Sequence, residues 1–350
     1  MTSKTRVLVV DDSALARAAI KRSLAGDPTI EVVALASDAY DAREKILLLR
    51  PDVITLDLEM PMLDGLSFLR ILKQHYPIPV IVISSLTPQG SAKALEALEC
   101  GAFDVLGKNK LSAEGIFGSQ LGRLIRAAAE SNRNLLPVLP DNGAAGMPAE
   151  QSSPVFSERR LLVIGSSTGG VEALRALLPQ LPEASPPIVV VQHIPSNFSR
   201  LMAERLNELC RFEVREAVEG DVLRRGLCLI APGDYHLLLG WTGSHYKVRL
   251  TQSPPVHHCR PAVDVLFRSA AECAKDHAVG VLLTGMGTDG ARGLRELRSA
   301  GAHTIAQDEK SSVVYGMPQA AVKLGAVVEE LPLSKIPLAI QKALGQTIRK

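Results

Sequence analysis

The sequence predicts an α/β protein made of two doubly wound parallel-sheet domains in series, the second broken by a short β insertion. Three observations predict it. Short β-branched apolar runs alternate with amphipathic stretches from Arg6 to Ala129, the pattern of a parallel sheet wrapped by helices. The same alternation resumes at Leu161 and continues to Ala306. Between them, NLLPVLPDNGAAGMPAEQSSPVFSE is rich in Pro, Gly, Ala and Ser without periodicity, which reads as a linker, with Leu135, Leu136, Val138 and Leu139 left to pack against a domain. A length of 350 residues suits about two domains. The expected boundaries are 1–126, a linker over 127–157, and 158–350.

In the N-terminal half the strands are expected at Arg6–Val10, Glu31–Leu35, Val53–Leu56, Val80–Ile83 and Asp104–Leu106. The helices are expected near Ala14–Leu24, Ala39–Leu49, Leu66–Gln74, Ala92–Glu99 and Ile116–Ala129. Sites in such sheets lie beyond the carboxyl ends of the strands. Asp11 and Asp12 follow the first strand, Asp57 the third, Ser84 ends the fourth and Lys108 follows the fifth. If strands one and three are neighbours, three carboxylates converge and repel unless a cation binds them. Hard oxygen ligands with open positions suit Mg²⁺. The plainer alternative, in which Asp11 and Asp12 cap the following helix, leaves Asp57, Ser84 and Lys108 unexplained.

The second half begins with LLVIGSSTGG: an apolar strand Leu161–Ile164, a turn Gly165-Ser-Ser167-Thr-Gly169, and a helix Val171–Leu178. A G-x-S-x-G turn between strand and helix is the nucleophile-elbow pattern. The unpaired N–H groups at the helix start favour an oxyanion. A dinucleotide fingerprint would need glycine at the middle position, where Ser167 stands, and a P-loop would need Lys-Ser/Thr after Gly170; a plain βα turn remains the bland alternative. Pro187–Gln192 is a second buried strand ending at His193, followed by a helix near Ser199–Leu209 and a strand at Leu227–Ile230. Tyr235–Leu239 and Tyr246–Thr251 form a hairpin-like pair, Asp264–Ala274 a helix, and Val279–Thr284 an apolar strand that runs into Gly285-Met286-Gly287-Thr288-Asp289-Gly290. A helix at Arg292–Ala300 and a strand at His303–Ala306 follow. Ser167, His193 and Asp289 each stand just past an apolar strand, so they meet on one sheet edge. The chemistry needs these types: an imidazole takes the serine proton, and a buried carboxylate orients the imidazole. The order Ser…His…Asp differs from the α/β-hydrolase order, so that superfamily is not implied. Taken singly, His193 reads as a structural strand-end residue and Asp289 as a helix cap; jointly they favour a triad.

Composition narrows the classes further. Hydrophobic residues make up 46% of the chain, ample for packed cores, and a net charge of +2 gives no electrostatic footprint for nucleic acid. No apolar run reaches the ~18 residues of a membrane span, so no membrane insertion is expected. The N-terminus reads as a buried strand and not a signal peptide. The five cysteines, Cys100, Cys210, Cys228, Cys259 and Cys273, then read as reduced thiols of a cytoplasmic protein. His257-His258-Cys259 has no second ligand cluster to make a metal site. A DNA-binding output would need a helix-turn-helix pattern or a basic stripe, and the second half has neither.

Two resemblances add to this reading. VLVVDDS, ITLDLEMPMLDG, VIVISS and Lys108 resemble the response-regulator receiver domain over residues 5–125. The resemblance implies a flavodoxin-like fold in which Asp57 accepts a phosphoryl group from a CheA-type histidine kinase. Asp11, Asp12 and Asp57, with the Glu59 carbonyl, would hold Mg²⁺; Ser84 would bond the phosphoryl group and Lys108 neutralise it. Two positions depart from the family: Asn109 replaces the usual proline, and Val105 stands at the aromatic switch position. IGSSTGG, QHIP, APGDYH, CRPAVDVLF, LLTGMGTDGA and AQDEKSSVVYGMP are similar to the chemotaxis methylesterases of the CheB family over about 158–345. This implies a Rossmann-like hydrolytic domain that cleaves glutamate methyl esters on methyl-accepting chemotaxis receptors and deamidates certain receptor glutamines. Ser167 would be nucleophile, His193 base then acid, Asp289 the orienting carboxylate, and backbone N–H groups near Met286 and the elbow helix the oxyanion donors. No cofactor is expected at the hydrolytic site. The receiver would cover that site until phosphorylated. A non-catalytic scaffold or phosphate sink in a chemosensory array is the alternative.

Overall fold

The five apolar runs of the N-terminal half are strands of one parallel sheet: β1 (Thr5–Val10), β2 (Ile30–Ala36), β3 (Val53–Leu56), β4 (Val80–Ser84) and β5 (Asp104–Gly107), in the order β2-β1-β3-β4-β5. They alternate with α1 (Ala14–Leu24), α2 (Ala39–Leu49), α3 (Gly65–His75), α4 (Pro88–Glu99) and α5 (Glu114–Asn134). Every residue of β3 and β4 is buried, as strands covered on both faces require. Ser13, Asp38, Asp64 and Thr87 cap the first four helices by accepting backbone N–H bonds. The cap of α1 is therefore Ser13, not Asp11 or Asp12, and those two carboxylates are left to another use.

The computed structural model describes residues 4–60, 62–85, 87–108, 114–134, 159–195 and 198–345, and the chain divides into two compact units, Met1–Asp141 and Asn142–Lys350. Helix α5 runs to Asn134, into the expected linker. The reason is burial: Ala128 and Ala129 continue the apolar face of Leu121, Leu124 and Ile125, and α5 packs on α1. The rest of that linker, with Leu135, Leu136, Val138 and Leu139, lies outside the described residues, as does Asn109.

The second unit is a seven-stranded parallel sheet in the order β14-β13-β12-β6-β7-β9-β8. Its strands are β6 (Leu161–Ser166), β7 (Ile188–Gln192), β8 (Glu213–Glu216), β9 (Leu227–Ile230), β12 (Ala278–Leu282), β13 (His303–Gln307) and β14 (Glu329–Leu331). The helices are α6 (Gly170–Leu177), α7 (Phe198–Leu209), α8 (Val263–Cys273), α9 (Ala291–Ser299), α10 (Met317–Lys323) and α11 (Ile336–Gly345). The insertion is an antiparallel hairpin, β10 (His236–Trp241) with β11 (Tyr246–Thr251), joined to the core through Leu237, Leu239, Tyr246 and Val248. The strands β8 and β14 have no counterpart in the sequence reading. The chain winds one way from β6 to β7 and the other way to β12, so the strand order reverses at β6, where a doubly wound sheet opens its crevice.

Candidate active site

Register brings three strand ends of the second unit together. Ser166 lies opposite Gln192, and Leu282 opposite Gly165, so Ser167 follows the central strand while His193 and the 283–289 turn follow its two neighbours. The Ser167 N–H donates to Thr284 O at 3.0 Å, and the His193 N–H to Ser166 O at 3.0 Å.

The elbow differs from its expected form. Gly165 and Ser166 belong to β6, and a Cβ on Gly165 would lie 2.2 Å from a Val263 methyl, so that glycine admits helix α8 against the strand and makes no turn. The left-handed residue is Gly169, at φ 76°, which precedes α6. Ser167 is not among the positive-φ residues, so its backbone lacks the strain of the nucleophile elbow. The turn closes by a Gly170 N–H to Ser167 O bond of 2.7 Å.

Asp289 and His193 are in direct contact: Oδ2 lies 2.8 Å from Nε2. Asp289 is 2% exposed and fully engaged. Oδ2 also accepts the Val263 N–H at 2.7 Å, and Oδ1 accepts those of Asp264 and Gly290, each at 2.9 Å. Two of these donors open helix α8, so the carboxylate sits at the positive end of a helix that is distant in sequence. Burial pushes the Asp289 carboxyl up, but His193 and these N–H groups outweigh it and hold the pKa below the ordinary value. Burial likewise pulls His193 down, but bonds to Asp289 and then Cys259 prevail and raise it to about 10. With Nε2 given to the carboxylate, the neutral ring carries its proton there, and Nδ1 is the basic nitrogen. That nitrogen lies 3.6 Å from Cys259 Sγ. Among the described residues, no hydrogen bond joins the Ser167 hydroxyl to the ring. Such bonds are often formed only with substrate in place.

Met286 follows Gly285, where a Cβ would lie 2.7 Å from Ser167 Cβ. Among the described residues the Met286 N–H donates to no other group, which leaves it free for an oxyanion beside the serine. The sequence reading missed the residues that fix this turn. Gln192, 3% exposed, accepts the Ser166 hydroxyl at 2.6 Å and donates to Ser167 O at 2.9 Å and His193 O at 3.0 Å. The Thr284 hydroxyl lies 3.0 Å from Thr168 O and accepts the Val314 N–H at 3.0 Å. A polar side chain inside an apolar strand end is the one signal that pointed to them.

In the first unit, Val10 lies opposite Leu56, which sets Asp11 and Asp57 side by side; both are buried. Lys108 Nζ reaches Asp57 Oδ2 at 2.7 Å and Asp11 Oδ2 at 2.9 Å. Burial, with the Asp11 charge, raises the Asp57 carboxyl above its ordinary value against the pull of Lys108. Carboxylate oxygens of Asp11, Asp12 and Asp57 come within 4.8 Å of one another, and Asp57 Oδ1 is buried without a hydrogen-bond partner. An orphaned buried carboxylate oxygen beside two more carboxylates fits a hard divalent cation. Ser84 is buried too, but its hydroxyl donates to Ser85 O and Gly90 O and not to Asp57. The Glu59 side chain accepts from the Ser85 hydroxyl at 3.1 Å. Val105 is buried on β5 opposite Val82. A second cluster, His257, Asp264 and Asp289, does not fit a metal, because all four carboxylate oxygens are already hydrogen-bonded. Among the described residues, no helix is long and apolar enough to cross a membrane.

The chain is similar to known proteins over both units. Residues 162–340 match the sequence profile of CheB methylesterase, and residues 7–114 that of the response regulator receiver domain. A protein of Syntrophus aciditrophicus named protein-glutamate methylesterase/protein-glutamine glutaminase 2 is 49% identical over 95% of this chain and 97% of its own length. A protein-glutamate methylesterase/protein-glutamine glutaminase of Chromohalobacter salexigens is 46% identical over 98% of this chain and 97% of its own. The crystal structure of the Thermotoga maritima CheB methylesterase catalytic domain is 40% identical, covers 53% of this chain and 97% of that one, and superposes with a TM-score of 0.51. The chain belongs to the CheB methylesterase family, with a response regulator receiver domain ahead of the methylesterase domain.

Proposed function

We propose that this chain is a phosphorylation-activated, serine-type protein-glutamate methylesterase and protein-glutamine glutaminase acting on methyl-accepting chemotaxis receptors. The observation that carries it is the 2.8 Å contact between His193 and Asp289, which follow the two strands flanking the one that Ser167 follows. His193 Nδ1 takes the Ser167 proton as Oγ attacks the ester carbonyl carbon. The Met286 N–H and the start of α6 bond the oxyanion. The imidazolium then gives its proton to the departing methoxide, methanol leaves, and water cleaves the acyl-enzyme by the same base. A primary amide follows the same route and releases ammonia.

In the receiver, Asp57 accepts the phosphoryl group of a CheA-type kinase. Asp11, Asp12 and Asp57, with the Glu59 carbonyl, would hold Mg²⁺, which when bound neutralises charge on the transferring phosphoryl group. Lys108 supplies a fixed positive charge at Asp57, and Ser84 turns its hydroxyl from Gly90 O to the new phosphoryl oxygen. Phosphorylation biases the chain toward the state in which the hydrolytic site is accessible.

Methanol release from methyl-labelled receptor membranes tests this, with and without Mg²⁺ and a small phosphodonor. Stimulated release by the native chain that is lost in Ser167→Ala is expected. Release by Ser167→Ala equal to the native chain would refute it.

A further inference from the structure

The hydrolytic route leaves one nucleophile at the site unused. Cys259 Sγ lies 3.6 Å from Nδ1 of His193, whose Nε2 is held by Asp289 at 2.8 Å, so thiol, imidazole and carboxylate stand in series. The thiol is fixed in place. Val256 and Cys259 exchange both backbone bonds, at 3.1 and 2.8 Å, around His257 and His258, which are both left-handed, at φ 52° and 63°. The His257 ring anchors this tight turn on the buried Asp264 at 2.8 Å, and the thiol donates to His257 O at 3.5 Å.

The five thiols do not stand alike. Burial pushes Cys210 and Cys273 up to about 11 and Cys228 well above the ordinary value. Cys259 is half-buried, and its sulfur faces Nδ1 of an imidazole oriented by a carboxylate, a setting in which the ring takes the thiol proton as the sulfur attacks a small oxidant. Cys100, beside the exposed Arg70, is the only rival thiol paired with a cation among the described residues.

We propose that Cys259 is an oxidant-sensitive brake on the hydrolytic site: hydrogen peroxide converts its sulfur to a sulfenic acid whose oxygen occupies Nδ1 of His193. The thiol passes its proton to Nδ1 of His193 as its sulfur attacks one peroxide oxygen, an S–O bond forms and the O–O bond breaks. The departing hydroxide takes the imidazolium proton and leaves as water. Sulfur is oxidised by two electrons and peroxide is reduced. One added thiol displaces the sulfenic oxygen as water, forming a mixed disulfide. A second added thiol then releases Cys259 and carries off the disulfide. With Nδ1 bound to the new oxygen, the ring accepts no proton from Ser167. This inference rests on Ser167, His193 and Asp289 being the hydrolytic set.

The full chain is treated with dilute hydrogen peroxide. Dimedone adducts are mapped by mass spectrometry, and a fluorophosphonate probe reports Ser167 before and after dithiothreitol. Cys259 should trap dimedone ahead of Cys100. Labelling should fall by about 100-fold, the loss expected when a general base is removed, and return with dithiothreitol. Cys259→Ala and Cys259→Ser should keep equal labelling with and without peroxide. Cys259 untouched while other thiols react, or an equal loss of labelling in both variants, overturns the proposal. The trapping arm uses the native chain and needs no variant to fold. If Ser167→Ala still takes the probe, the reading of the hydrolytic set fails, and the trapping result then judges the thiol by itself.

Discussion

Asp289 binds His193 and the first turn of helix α8 with the same carboxylate: Oδ2 lies 2.8 Å from the imidazole Nε2 and 2.7 Å from the Val263 N–H. One side chain therefore serves chemistry and fold. Asp289→Asn should lower fluorophosphonate labelling of Ser167 by about 10²- to 10⁴-fold, because the imidazole loses its orienting anion. The same variant should lose about 1–2 kcal/mol of stability, because an amide is a weaker acceptor for the α8 donors. Rate and thermal unfolding, measured on one preparation, separate the two effects. A stability loss with no change in labelling would leave Asp289 a structural cap.

The raised basicity of His193 fixes the sign of its pH dependence. Burial alone would make the ring a weaker base, but Asp289 and Cys259 outweigh it and raise the pKa to about 10. The neutral, proton-accepting ring thus grows with pH up to that value, and Ser167 labelling should rise by roughly tenfold per unit below it. In Asp289→Asn the alkaline inflection should move to lower pH, since the ring loses its anion. Stability runs the opposite way. A folded pKa above the unfolded value of about 6.5 stabilises below 6.5, and the contribution is lost as pH rises through 10. A labelling profile that falls between neutral and alkaline pH would contradict this assignment.

The receiver should respond to Mg²⁺ before any phosphoryl transfer. Burial and the Asp11 charge raise the Asp57 carboxyl, so without a cation the folded receiver loses stability as pH rises from the ordinary carboxylate value through the raised one. A divalent ion that binds only the folded chain adds about 2.7 kcal/mol at a hundredfold excess over its Kd. Thermal unfolding of the full chain should therefore shift upward with Mg²⁺. The shift should shrink in Asp57→Asn and Asp11→Asn, and Asp57→Asn should also lose the methanol-release response to a phosphodonor. An unchanged Mg²⁺ shift in both variants would place the ion elsewhere.

Strand ends were legible in the sequence because fully buried parallel strands are continuous apolar runs, and the first polar residue after each run marks the sheet edge. That is how Asp11, Asp57 and His193 were placed, while Ser167 was marked by its G-x-S-x-G turn. The strands β8 and β14 escaped because they lie at the two edges of the sheet and read EVRE and EEL, half-exposed and charged. The role of Gly165 was misread because its neighbour, Val263, comes from a helix almost a hundred residues on. The thiol at Nδ1 could not be foreseen either. It depends on a turn in which His257 and His258 both take left-handed backbone, which is uncommon at any single non-glycine position even though histidine adopts it more often than most.

Gln192 gives the strictest test of how the turn is held. Its amide joins the Ser166 hydroxyl, Ser167 O and His193 O, with the oxygen accepting and the two N–H groups donating. The side chain is 3% exposed, so water does not readily replace it. Gln192→Leu keeps roughly the volume and strands one buried hydroxyl and two carbonyls, each costing about 1–3 kcal/mol if left unpaired. Gln192→Glu keeps the acceptor but turns the donating end into an anion facing two carbonyl oxygens. Both variants should lower the labelling rate of Ser167 while Asp57 phosphorylation in the separate receiver unit continues. Relative to the native chain at the same pH, Gln192→Glu should recover toward acid pH, where a protonated carboxyl donates again to one carbonyl. Gln192→Leu has no such recovery available to it. Recovery in both, or in neither, would mean that the amide packs the strand end without setting the position of the nucleophile.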